Sequence, residues 1–131
     1  MPLQLDIMTP SRRVWSGPCE DVVLPDLQGE VGVLPGHAPL VGVIGMGLIR
    51  IREARAAVRL AVRGGFFHVV DDRVQLLADE VVRPEEVDER QLRDQVTRIG
   101  EVLARTETSG EERARLLKER AWAALRLNLG R

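Results

Sequence analysis

The hydrophobic pattern of this chain of 131 residues changes its period once, near Pro84. Before Pro84, apolar side chains recur at every second position, as in residues 3–7, and this is the spacing of a strand with one buried face. After Pro84 they recur at intervals of three and four, as in residues 92–103, and this is the spacing of one helix face. The chain is therefore expected to have an all-β part followed by an α-helical part.

The first part, residues 1–84, is interrupted by turn residues at short intervals. Glycine and proline cluster in residues 16–18, 35–39 and 64–65. Several short strands separated in this way are typical of an antiparallel sandwich or barrel. We predict a β-sandwich of about eight to ten strands in this part.

The second part, residues 85–131, predicts an antiparallel hairpin of two helices. Pro84, followed by two glutamates, is suited to the first turn of a helix. Residues 106–110 interrupt the helical pattern, and Ser109 followed by Glu112 predicts a capping box for a second helix that ends at Gly130. A short loop between two helices makes them antiparallel neighbours. Five pairs of an acid and an arginine four residues later add local support: Glu86/Arg90, Glu89/Arg93, Asp94/Arg98, Glu101/Arg105 and Glu111/Arg115.

Composition argues against several classes of function. Nineteen basic residues stand against twenty acidic ones, so no long-range attraction to nucleic acid or to an anionic membrane is expected. No apolar run reaches the roughly 18 residues of a membrane span, and no insertion into lipid is expected. One cysteine and two dispersed histidines provide neither a metal cluster nor a nucleophile with its base. We therefore expect no catalytic residues and no metal.

Two segments carry distinctive residues in a fixed order. Residues 29–40 read GEVGVLPGHAPL, which resembles the signature GE(L/V)G(I/V)xPGHAPL of the epsilon subunit of F-type ATP synthases. Residues 64–79 begin with GGF and end with LLAD, like the GGF…LAD stretch of the family. The resemblance extends in order over roughly the whole chain and is looser in the C-terminal half. It implies a ten-stranded sandwich followed by a two-helix hairpin.

The resemblance also implies a non-catalytic place in the central stalk of the enzyme. A subunit of this kind binds the gamma subunit and the ring of c subunits, turns with the rotor, and restrains ATP hydrolysis in the alpha/beta head through its hairpin. The implied location is the cytoplasmic face of the bacterial inner membrane, as a peripheral part of the complex. The docking residues implied for the c ring and gamma are Glu30, Gly32, Pro35, Gly36, His37 and Pro39.

The loop that contains most of these residues is suited to docking. Pro35 and Pro39 fix the backbone φ angle, and Gly36 permits a tight turn. Because a rigid loop loses little entropy on binding, it makes an efficient contact. We expect His37 to be exposed in this loop.

The second helix has a basic character beyond its first turn. Glu111 and Glu112 lie in that turn, where they complement the helix dipole. The basic residues that follow are Arg113, Arg115, Lys118, Arg120 and Arg126. The resemblance implies that they are the regulatory contacts with acidic segments of the catalytic head.

Some members of the family bind ATP on the hairpin through a motif of the form (I/L)DxxRA. Here Asp88 keeps the acid, while Gln91 and Leu92 replace the arginine and the alanine. On the second helix Arg126 matches one basic family position, and Trp122 replaces another. Asp88 and Arg126 are therefore candidates for a weak regulatory ATP site, and no other cofactor is expected.

Two alternatives to a purely mechanical rotor subunit stay open. One is an ATP-sensing switch in which the bound nucleotide holds the hairpin folded, and the departures at Gln91 and Trp122 weigh against it. The other is a small stand-alone enzyme with a sandwich fold, which the lack of a catalytic arrangement disfavours.

Overall fold

The computed structural model describes residues 2–105 and 107–129. The chain divides into two compact units, one up to residue 82 and one from residue 83. Eight strands lie in the described part of the first unit: β1 (Leu3–Met8), β2 (Arg13–Cys19), β3 (Asp21–Asp26), β4 (Gly29–Val33), β5 (Leu40–Val43), β6 (Gly47–Arg52), β7 (Ala57–Val70) and β8 (Arg73–Val82).

The strands are hydrogen-bonded in the order β2-β1-β8-β7-β6-β3-β4, and β5 pairs with β7. β1 runs antiparallel to β2 and parallel to β8. β7 has 14 residues and pairs with β6 along its first half and with β5 along its second half. One long strand thus contributes to both layers of the sandwich.

Gly64 and Gly65 lie between the two halves of β7. The turn predicted at this position is wrong, because the strand continues through it. The eight strands of the described residues lie within the predicted range of about eight to ten and are fewer than the ten that the resemblance implies. Both glycines have positive φ angles, +76° and +118°. A Cβ atom on Gly65 would lie 2.1 Å from the carbonyl oxygen of Leu77 on β8, so only glycine permits the bend at this pairing distance.

The core of the sandwich confirms the alternation in the sequence. Leu3, Leu5 and Ile7 are 0% exposed, while Gln4 and Asp6 between them are partly exposed. Burial of each such side chain stabilises the fold by about 1.5–3 kcal/mol. The buried side chains at alternate positions of the strands therefore provide most of the stability of the first unit.

The second unit has a 3₁₀ turn at Pro84–Glu86 and two helices, α1 (Glu89–Leu103) and α2 (Gly110–Leu129). A helical turn begins at Pro84 as predicted, but it ends at Glu86 and does not continue into the first α-helix, because Val87 is extended, with φ −79° and ψ 122°. α1 begins instead behind Asp88, whose side chain accepts a hydrogen bond from the Gln91 amide at 3.1 Å and so caps the helix.

The second helix begins where the sequence predicts. The hydroxyl of Ser109 accepts a hydrogen bond from the Glu112 amide at 3.2 Å, which is the N-cap half of the predicted capping box. The predicted end at Gly130 lies outside the described residues. In the described part of the chain, no helix combines the length and apolar character that a membrane crossing requires.

Candidate interaction sites

The docking loop, residues 34–39, contains a tight turn between β4 and β5. The His37 amide donates to the Leu34 carbonyl at 3.1 Å. Pro35 occupies the second position and Gly36, with φ +85°, the third. These are the features of a type II turn, in which proline fixes one φ angle and glycine supplies the positive one. The predicted tight turn is confirmed.

A second contact ties this loop to another part of the sandwich. The Gly36 amide donates to the carboxylate of Asp72 at 2.7 Å. Asp72 lies in the two-residue turn between β7 and β8, and its own carbonyl accepts from the Gln4 amide at 2.8 Å. The docking loop, the β7–β8 turn and the start of β1 therefore meet at Asp72. The sequence analysis missed this residue because nothing local relates positions 36 and 72.

His37 is half-buried rather than exposed. Its Nδ1 atom lies 2.7 Å from the carbonyl oxygen of Ala38. Because a carbonyl can only accept, Nδ1 carries the proton, and in the neutral ring Nε2 is then the acceptor. His37 is thus oriented by its own loop.

Glu30 is held by a different part of the sandwich. It lies exposed on β4, and the Nη2 atom of Arg50 on β6 donates to both of its carboxylate oxygens at 3.0 and 2.9 Å. β3 lies between these two strands in the sheet. Glu30 and His37 therefore have separate supports. Of the other docking candidates, Gly32 pairs with Val23 in the β3–β4 ladder, and Pro39 is exposed just before β5.

An apolar row crosses four neighbouring strands of the sandwich on its outward face. In register across β5, β7, β8 and β1, it consists of Val43, Phe66, Leu77 and Met8. The first three are 40%, 62% and 56% exposed, and Met8 is half-buried. With strands about 4.8 Å apart, the row is about 14 Å long. A contiguous exposed apolar row of this kind is a candidate interaction site.

The sequence contains one signal for this row. Alternation places Phe66 on the face opposite the buried Phe67, and on that face a polar residue is expected. The strand pairing that brings Leu77 beside Phe66 is set by the β7–β8 turn and is not visible in either segment alone.

A polar row runs beside the apolar one. His68, Gln75 and Asp6 are paired in register across β7, β8 and β1, and the hydroxyl of Ser16 donates to Asp6 at 2.6 Å. Gln75 separates His68 from Asp6 by two strand spacings, or about 9–10 Å. This separation is too long for proton transfer between them, so the Ser, Asp and His of this row do not form a catalytic triad.

Cys19 is buried at the end of β2. Burial, with smaller contributions from the charges of Asp21 and Glu53, raises the pKa of its thiol to about 11. Because the thiolate is the reactive form, this raised pKa and the burial of the side chain disfavour reaction of Cys19 at neutral pH.

The hairpin contains a cleft of about 400 Å³ between its two helices. Arg98 lines it from α1, and Arg115 and Glu119 line it from α2. Arg115 is one of the predicted regulatory residues, whereas the sequence predicted Arg98 only as the partner of Asp94 in a pair on the helix surface. Because Glu119 also lines the cleft, two arginines stand against one carboxylate, and the lining attracts an anion only weakly.

The two residues predicted to bind nucleotide have other contacts. Asp88 is the cap of α1. The guanidinium carbon of Arg126 lies 5.1 Å from the ring centroid of Trp122, and its Nε donates to the Trp122 carbonyl at 3.3 Å. Neither residue is among those that line the cleft.

Arg113 caps the C-terminal end of α1. Its Nη1 donates to the Leu103 carbonyl at 2.9 Å, and the hydroxyl of Thr108 donates to the Val102 carbonyl at 3.1 Å. These carbonyls have no partner within the helix that ends there. Arg113 is therefore engaged within the folded hairpin, whereas Arg115 and Lys118 are exposed and Arg120 is half-buried.

The fold is that of a two-part protein, a β-sandwich with an exposed apolar row followed by a two-helix hairpin. Residues 2–84 match the family model described as ATP synthase, Delta/Epsilon chain, beta-sandwich domain. The chain is 36% identical over 127 residues to the ATP synthase epsilon chain of Synechococcus sp. strain JA-2-3B'a(2-13), covering 95% of this chain and 92% of that one. The chain belongs to the epsilon chain family of ATP synthases.

Two solved structures share the fold at low sequence identity. One is a chain of the Euglena gracilis mitochondrial ATP synthase, in a structure of OSCP, F1 and the c-ring, with a TM-score of 0.73, 20% identity and coverage of 98% of this chain and 77% of that one. The other is a chain of the Tetrahymena thermophila mitochondrial ATP synthase central stalk and c-ring, with a TM-score of 0.68, 10% identity and coverage of 100% and 98%.

Proposed function

We propose that this chain is a non-catalytic subunit of the rotor of an F-type ATP synthase. It links the gamma subunit to the c ring at the cytoplasmic face of the membrane, as a peripheral part of the complex. The observation that carries the proposal is the exposed apolar row of Val43, Phe66, Leu77 and Met8 in a member of the epsilon chain family. The structures of the Euglena and Tetrahymena relatives, which include c-rings, support the same placement.

Two surfaces of the sandwich, the apolar row and the docking loop with Glu30, contact different partners in this proposal. The apolar row supplies contact area for gamma, because burial of apolar surface drives association. The docking loop and Glu30 supply a rigid, oriented contact for the loops of the c ring. Torque then passes through a sandwich whose core is close-packed and resists deformation.

The hairpin regulates hydrolysis in this proposal. Beyond its first turn α2 has a basic surface. Arg113 and Arg126 make the contacts within the hairpin that are described above. The other cations of this surface are Arg115, Lys118 and Arg120. An extended hairpin would place them against acidic segments of the alpha/beta head. Each exposed pair contributes about 0–1 kcal/mol, and several together shift an equilibrium between two conformations that differ by a few kcal/mol.

A second candidate function is that of an ATP-sensing switch. Arg98 and Arg115 in the cleft support it, because an anion bound to both helices would stabilise their packed arrangement, whereas Glu119 in the same cleft weighs against it. Titration of the isolated chain with ATP in a calorimeter tests this function, because the heat released measures binding. Arg98→Ala should abolish binding, whereas Arg93→Ala, on the same helix but paired with Glu89, should not. The absence of any binding heat with the unmodified chain would reject the switch.

The rotor function is tested by measuring whether variants of this chain assemble with gamma and the c ring. The enzyme should be reconstituted with the Phe66→Ser/Leu77→Ser variant, and retention of this chain with gamma and the c ring should be measured by affinity purification. Loss of retention is expected, because two polar side chains interrupt the apolar row. Leu27→Ser is the matched control, since Leu27 is 70% exposed in the β3–β4 turn and is not part of the row. Equal retention of both variants would reject the assignment.

A further inference from the structure

We propose that Asp72 is the positioning residue of the docking loop, an inference that rests on the proposed rotor function. Its carboxylate holds the Gly36 amide at 2.7 Å, although the two residues lie 36 positions apart in the chain. This contact sets the orientation of the loop on the sandwich and hence the orientation in which the loop meets its partner.

The docking loop has few other backbone amides that could donate a hydrogen bond to the rest of the sandwich. Pro35 and Pro39 have no amide hydrogen. The His37 amide is used inside the turn, where it donates to Leu34. That hydrogen bond lies within the turn and does not connect it to another element. The Gly36 amide is the donor that connects the turn to the β7–β8 turn. Because the acceptor is a carboxylate, the bond is of the stronger, charge-assisted kind.

Asp72 is itself firmly placed. It follows Asp71 in a two-residue turn, and the two residues have φ angles of +49° and +60°. Its carbonyl accepts from Gln4 at 2.8 Å, so the turn is joined to β1 as well as to β7 and β8. The carboxylate thus extends from a rigid support rather than from a mobile loop.

The choice of residue also indicates a role for the side chain. A two-residue hairpin turn with both φ angles positive favours glycine at its second position, because L-residues are disfavoured there. Aspartate is tolerated in this conformation, but glycine would suit the backbone better. The benefit of aspartate at position 72 therefore comes from its carboxylate, which glycine lacks.

Three variants separate the carboxylate from the backbone. Asp72→Gly removes the acceptor and keeps a residue that suits the turn. Asp72→Asn keeps an oxygen acceptor without the charge. Asp71→Gly is the matched control, because it relieves the same backbone conformation one residue earlier and leaves the Asp72 carboxylate in place.

The first measurement is hydrogen exchange of the Gly36 amide in the isolated full chain by NMR. Exchange should be on the order of tenfold faster in Asp72→Gly, intermediate in Asp72→Asn and unchanged in Asp71→Gly. The exchange rates of core amides, such as that of Leu5, should be unchanged or lower in Asp72→Gly. Unchanged Gly36 exchange in Asp72→Gly would overturn the inference.

The second measurement is the affinity of the same variants for a detergent-solubilised subcomplex of gamma and the c ring. Asp72→Gly should bind several-fold more weakly than Asp71→Gly, and Asp72→Asn should recover part of the difference. Equal affinities, with Gly36 exchange accelerated, would overturn the role of Asp72 in docking. Failure of the unmodified chain to bind the subcomplex would reject the rotor function itself, while the exchange measurement still decides whether Asp72 holds the loop.

Discussion

Arg50 donates from a single nitrogen to both carboxylate oxygens of Glu30, at 3.0 and 2.9 Å, although 20 positions separate the two residues. Their side chains are 50% and 58% exposed. A pair as exposed as this contributes only about 0–1 kcal/mol to stability. Its main effect is therefore on the orientation of Glu30, which belongs to the surface proposed to meet the c ring.

Arg50→Ala should reduce the coupling of proton flow to ATP synthesis without destabilising the fold, because Glu30 keeps its charge but loses its orientation. Proton pumping and ATP synthesis in vesicles measure the coupling. The loss should be smaller than that in the Glu30→Ala/His37→Ala variant. It should not add to that of Glu30→Ala, since both changes act on one interaction. Arg52→Ala, which breaks ion pairs with Glu20 and Asp21, is the control on the same strand and should leave coupling unchanged.

Trp15 has a buried indole nitrogen for which no hydrogen-bond partner is found among the described residues. An unsatisfied buried donor costs about 1–3 kcal/mol. Trp15→Phe removes that donor together with part of the ring, and the two effects should offset each other. The free energy of unfolding in urea should therefore change by less than about 1 kcal/mol. In contrast, Phe67→Ala should destabilise the fold by about 3–5 kcal/mol, and an equal loss in both variants would contradict the prediction.

A fragment of residues 1–84 should fold without the hairpin. The core cluster from Leu3 to Val81 lies entirely within this fragment, so truncation removes none of its members. Circular dichroism should show a single cooperative thermal transition. A fragment that binds a hydrophobic dye strongly and unfolds gradually would indicate that the sandwich depends on the second unit.

Arg115→Ala/Arg120→Ala should raise ATP hydrolysis by the assembled enzyme at low salt. The two cations belong to the proposed brake, and the effect should shrink as salt screens the attraction. Arg113 is left intact because its bond to the Leu103 carbonyl supports the folded hairpin, and its loss would mix two effects. Arg93→Ala on α1 is the control. Unchanged hydrolysis at low salt in a fully assembled enzyme would rule out a charge-based brake.

Cys19 should make stability fall at alkaline pH. Its pKa is raised to about 11 in the folded chain from the ordinary value of 9.0, so the unfolded chain loses the proton first. The stabilisation is present below about pH 9 and is lost as the pH rises through the folded value. Cys19→Ala should flatten this part of the pH profile of urea unfolding. An identical slope in the variant would show that other groups cause it.

The architecture could be predicted from the sequence because it depends on local periodicity. The spacing of Leu3, Leu5 and Ile7 is a property of one strand, and the spacing of Leu92, Ile99 and Leu103 is a property of one helix. The same local patterns predicted the ends of strands and helices less reliably. The two glycines at 64 and 65 are compatible with either a turn or a bent strand, and pairing with β8 decided for the strand.

The sequence by itself determined the two-part organisation, the rigid turn at Pro35 and Gly36, and the family. Only the tertiary structure decided which residues support the docking surface. Asp72 reaches Gly36 because the β7–β8 turn lies beside the docking loop, and Arg50 reaches Glu30 across β3. The apolar row likewise exists only once Phe66 and Leu77 are paired. The physical reason is that strand period and turn chemistry are set by adjacent residues, whereas strand order and register arise from packing between distant ones.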